Sequence, residues 1–102
     1  MDYTDLKKAT DEFTQACCNL DSAMKQKETT FREYRRVENE ARKKYFTDMQ
    51  MKNMTNAMYQ ELIRNDIFEL KVNFEAMEMA VKRLQNIKDW KLEILNTTKK
   101  SY

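Results

Sequence analysis

The chain has 102 residues, enough for one domain, with no Gly, no Pro and no His; 35% of it is charged and its mean hydropathy is −0.92. Those absences remove the residues that punctuate turns, hold strained loops and carry most acid–base or metal-ligating chemistry at neutral pH. The expected class is all-α, built from long uninterrupted helix, with no enzymatic activity, no cofactor and no metal.

An apolar share of 41%, with five Phe, five Tyr and one Trp, gives the chain something to bury. Two helices can each hide only one stripe against the other, so such a core is thin and self-association or a protein partner is expected. No uncharged run approaches the roughly 18 apolar residues of a membrane span. Asp2 and Asp5 stand where a signal peptide carries basic residues, so the expectation is a cytoplasmic chain without a membrane partner.

In the first arm, stepping alternately by four and three gives Leu6, Thr10, Phe13, Cys17, Leu20, Met24, Lys27, Phe31, Tyr34, Glu38, Ala41 and Tyr45. One seam therefore runs over about 3–47, broken at Lys27 and Glu38, where it fixes register or shifts sideways onto Val37. Cys17 and Cys18 are adjacent, have no third Cys to pair with, and read as reduced thiols. Thr30-Phe31-Arg32-Glu33 has capping-box form, and a helix start there defines the alternative architecture, a three-helix bundle.

Thr47-Asp48 and Asn53 to Asn56 gather side chains that compete with helical backbone bonding, which puts the reversal at about 48–54. Thr55 or Asn53 then caps the returning helix. Met49, Met51, Met54 and Met58 cluster there, either filling an irregular tip or forming an adaptable docking surface. Asn53-Met54-Thr55 and Asn96-Thr97-Thr98 match the glycosylation acceptor pattern by chance in a chain without a secretory signal.

The second arm, about 55–98, carries Ile63, Ile67, Leu70, Phe74, Met77, Val81, Leu84, Ile87 and Ile94 at helical spacing, with Trp90 near the edge of the stripe. Asn65-Asp66 is a candidate interruption, Asp66 being able to cap a helix from Ile67. Arms of equal length favour a long antiparallel, coiled-coil-like hairpin as a single helical domain over 1–102. Glu75 and Glu78 share a helical spacing and read as a solvated face.

Charge is uneven: residues 1–24 carry a net of −3, 25–52 a net of +4 and 53–102 a net of +1. At about 100° per residue, Arg32, Arg35, Arg36, Asn39, Arg42 and Lys43 share an arc beside the first seam, with Phe46 projecting into it and Glu33 and Glu40 placed towards the opposite side. Such a strip suits single-stranded nucleic acid, with phosphates on the cations and bases stacked on Phe46 and Tyr45. It equally suits an acidic surface or plain solvation.

Ala41-Arg42-Lys43-Lys44-Tyr45-Phe46, after a long charged helix and before a return ending in Leu84-x-x-Ile87-Lys88 and Trp90, resembles the small recombination mediator proteins of T4-type phages, the UvsY family. The likeness covers residues 20–95 and rests on a short motif, Ala-Arg-x-x-Tyr-aromatic. It implies a helical hairpin in a ring-like oligomer that binds single-stranded DNA and helps load a RecA-like recombinase, inside the host cell of a phage. The family's DNA-contacting arginine falls on Arg42. Where the family has a lysine two residues earlier this chain has Glu40, and it has no glycine at the turn.

Two functions follow as expectations. One is a viral DNA recombination or replication accessory, a homo-oligomer using Arg32, Arg35, Arg36, Arg42, Lys43 and Phe46 on single-stranded DNA. The other is a coiled-coil interaction subunit or inhibitor that engages a protein through Met54, Met58 and Trp90 and no nucleic acid.

Overall fold

The computed structural model describes residues 3–101, which leaves Asp2 of the charge argument outside them. Two long helices form a hairpin: α1 spans Tyr3–Met51 and α2 spans Asn56–Ser101, with no strand among the described residues. Helix α1 passes through Thr30 without a break, so the capping-box pattern starts nothing and the three-helix alternative is not adopted. Helix α2 likewise runs through Asn65-Asp66. In both places the flanking apolar spacing outweighs a local capping preference.

The reversal is tighter than its composition implies, occupying 52–55 rather than 48–54. Asn53 takes the left-handed conformation, φ 50°, the position glycine usually fills after a helix and the one that Asn tolerates best among other residues. The Met54 N–H donates to the Met49 carbonyl at 3.2 Å, the six-to-one bond of a Schellman motif, and the Lys52 N–H donates to the Asp48 carbonyl at 2.9 Å. Asn53 therefore ends α1, and the helix start belongs to Thr55. Its hydroxyl accepts the Met58 N–H at 3.2 Å and its carbonyl accepts the Tyr59 N–H at 3.0 Å.

The chain divides into two compact units. The reversal unit, Lys27–Ala76, is built on Ala41, Tyr59, Ile63 and Ile67, with Tyr34, Val37, Tyr45, Met49 and Met54 packed against them. Met54 immediately precedes the cap and Tyr59 lies four residues beyond it, the two positions of a hydrophobic staple. Phe74 packs beside the Phe31 ring, centroids 5.2 Å apart, and stacks with Tyr34 at 6.2 Å.

Glu38 is buried in this unit, as its place on the seam requires. Arg35 Nη1 donates to its carboxylate at 2.8 Å, so the desolvated charge has a partner in place. Burial, then the neighbouring Glu38 charge, push the Tyr34 phenol above its ordinary value.

The terminal unit, Met1–Gln26 with Met77–Tyr102, buries Ala9, Ala16, Leu20 and Ala23 of α1 and Leu95 and Thr98 of α2. This corrects the expected seam. Leu6, Phe13 and Leu20 belong to it, but the alternate positions are Ala9, Ala16 and Ala23 rather than Thr10, Cys17 and Met24; Thr10 is exposed and Met24 is 53% exposed. In the reversal unit the same one-residue shift leaves Phe31 at the margin and half-buries Thr30. On α2 the stripe continues through Lys88, Lys91 and Leu95, which leaves Ile87 exposed.

Among the described residues one ion pair joins the two arms here, Lys91 Nζ donating to Glu12 Oε2 at 3.1 Å from half-buried positions. Cys17 is half-buried, Cys18 exposed, and both are free thiols.

Candidate interaction surfaces

Regular helix through residues 32–46 fixes the basic strip, because side chains three and four apart are surface neighbours. The Arg32 guanidinium bonds Glu28. Arg35 serves Glu38 and lies 5.7 Å from the Phe31 centroid, a cation–π distance. Arg36 donates to Glu40 at 2.7 Å and, through Nε, to Glu33 at 3.1 Å. Those two bonded carboxylates hold the Arg36 guanidinium above its ordinary value, and Arg36 in turn lowers the Glu33 carboxyl.

Glu33 and Glu40 thus flank Arg36 on its own face, contrary to the sequence expectation, since both stand within one turn of it. Half of the proposed phosphate-binding set is engaged by carboxylates of the same helix. Such exposed pairs are individually weak, but they lower the local field that a polyanion meets.

Arg42 and Lys43 differ. Both are exposed, and neither has a carboxylate partner among the described residues. Phe46, one turn beyond Arg42, is 48% exposed, and the Lys44 ammonium lies 5.0 Å from the half-buried Tyr45 ring on another side of the helix. The uncompensated charge of α1 is therefore concentrated in residues 42–44. Lys44 was missed by the strip because its direction falls outside the arc.

The residues proposed for a protein partner also separate. Met54 is half-buried in the reversal core, so its first role is structural. Met58 and Trp90 are exposed. Met58 lines a shallow groove of about 420 Å³ with Ala57, Glu61 and Leu62, four residues of one helix that supply no opposing wall.

Sequence reasoning missed further exposed apolar residues on α2: Phe68 and Val72 in the reversal unit, Met79 in the terminal unit. Their signal was available. Phe68 and Val72 are one turn apart, and Met79 and Trp90 three turns apart, each pair lying roughly opposite the buried stripe of its helix.

No group of three or more Cys, Asp or Glu able to hold a metal ion occurs among the described residues. No helix among them is long and apolar enough to cross a membrane. Compared with protein-family models, curated proteins and solved structures, the chain matches none.

Proposed function

We propose that this chain is a non-enzymatic helical assembly protein that works by docking exposed helix faces onto protein helices. The observation that carries the reading is the set of large apolar side chains left outside the hairpin seam, Met58, Phe68, Val72, Met79 and Trp90 among them. Groups of such side chains on one helix face act as docking surfaces, and Trp and Met are favoured there. The composition supports it as well, since a chain without His or Gly lacks the usual general base and phosphate-cradling loop. Affinity capture with the intact chain tests this. A specific partner should survive high salt and be lost in the Met58→Ser, Trp90→Ser double variant; equal retention by that variant would overturn the reading.

A second reading is favoured by one observation, the unpaired Arg42 and Lys43 beside exposed Phe46. On it the chain is a recombination or replication accessory of the phage mediator type, binding single-stranded DNA and handing it to a recombinase. It requires single-strand binding that falls steeply with salt. Arg42→Glu should weaken that binding far more than Arg36→Glu, because Arg36 already serves two carboxylates. Retention unchanged by Arg42→Glu with Lys43→Glu would remove it.

A further inference from the structure

Within the terminal unit, one side of α2 carries Met79, Ile87 and Trp90, exposed to 57%, 42% and 56%, away from the seam through Leu84, Lys88 and Leu95. The charges on and beside this face are ordered. Lys82 and Arg83 come in its first half, Asp89 and Glu93 in its second, and none of the four makes an ion pair among the described residues. Among the described residues Asp89 accepts from the neutral Gln85 amide, at 3.0 Å. Trp90 is partly fixed, with the Lys91 ammonium 4.7 Å from its centroid while that ammonium also holds Glu12.

A face that is basic at one end and acidic at the other is complementary to itself turned around. We infer that α2 between Met79 and Ile94 docks on the same face of a second copy of the chain, the two helices antiparallel about a two-fold axis beside Asn86 and Ile87. This deepens the assembly reading and rests on it. In that register Arg83 of each copy lies opposite Trp90 of the other, Lys82 lies on the same flank as the other's Asp89 and Glu93 and between them in height, and Met79 lies opposite Ile94. Each contact occurs twice, as an isologous interface requires. A parallel pairing would set like charges together, which disfavours it.

Light scattering on the intact chain over a concentration series, with helix content checked by circular dichroism, tests the inference. The wild type should dimerise. Lys82→Glu should weaken dimerisation about tenfold, since it turns two symmetry-related attractive contacts repulsive, Trp90→Ser should weaken it further, and Lys82→Glu with Asp89→Lys should restore it. In a Cys17→Ser, Cys18→Ser background, Met79→Cys chains should cross-link to Ile94→Cys chains in preference to their own kind. A dimer indifferent to Lys82→Glu and Trp90→Ser overturns the assigned face, and preferential like-with-like cross-linking overturns the antiparallel arrangement. A wild type that stays monomeric yet captures a protein through Met58 overturns the self-docking and leaves the assembly reading standing.

Discussion

The Tyr59 hydroxyl donates a hydrogen bond to the Arg42 backbone carbonyl at 3.1 Å, joining α2 to α1 seventeen residues away in sequence. Tyr59 is buried in the reversal core, so its ring packs among Ala41, Ile63 and Ile67 while its polar end reaches a carbonyl on the other arm. Tyr59→Phe keeps the ring and removes the bond. The expected loss is about 1 kcal/mol, read as a lower urea midpoint with an unchanged denaturant slope.

The turn separates two roles that the sequence left merged. Thr55→Ala should destabilise by about 1 kcal/mol through the lost helix cap. Asn53→Gly should be neutral or slightly stabilising, because glycine takes a positive φ freely, whereas Asn53→Val should cost about 1–3 kcal/mol for holding a β-branched residue there. Thermal melts of the three variants check the ranking. Equal losses at Asn53→Gly and Thr55→Ala would contradict it.

The position of the seam makes a sharper prediction. Ala16→Leu forces bulk between the arms and should cost about 1–3 kcal/mol, while Met24→Ala should cost under about 1 kcal/mol because Met24 is exposed. Had the expected seam been correct, the two effects would be reversed. Chemical denaturation measures both.

All-helical structure, two arms and the neighbourhood of the turn were legible in the sequence, because Gly and Pro are absent and apolar spacing is helical throughout. The seam's inner row was not. Two heptad frames share Leu6, Phe13 and Leu20 and differ in choosing Thr10, Cys17 and Met24 or Ala9, Ala16 and Ala23, and at the last two positions hydropathy alone prefers the bulkier pair. Close approach of helices selects the smaller pair, and that depends on the facing residues rather than on the helix itself. The candidate sites were half legible for a similar reason. Position on a helix gave Arg36 a direction, but only the side-chain conformations show it occupied by Glu33 and Glu40.

Tyr34 sets an alkaline limit. Its folded-state pKa is raised, so the protonated phenol is favoured in the folded state. That stability is fully present below the unfolded value near 10.0 and is lost as pH rises through the folded value. Ionisation would place a phenolate beside the buried Glu38 carboxylate. Helix content followed above pH 10 should therefore fall for the wild type at lower pH than for Tyr34→Phe. Coincident curves would contradict the assignment.

The Asn53–Thr55 reversal also bears on the order in which the molecule folds. Met49 and Met54, bonded across it, are five residues apart, whereas Glu12 and Lys91 are separated by 79. Loop-closure entropy grows with that separation, so ordering begins at the bend and spreads outward, each new contact closing only a short further loop. Lesions at Asn53 or Thr55 should slow refolding, while loss of the Glu12–Lys91 pair should instead hasten unfolding.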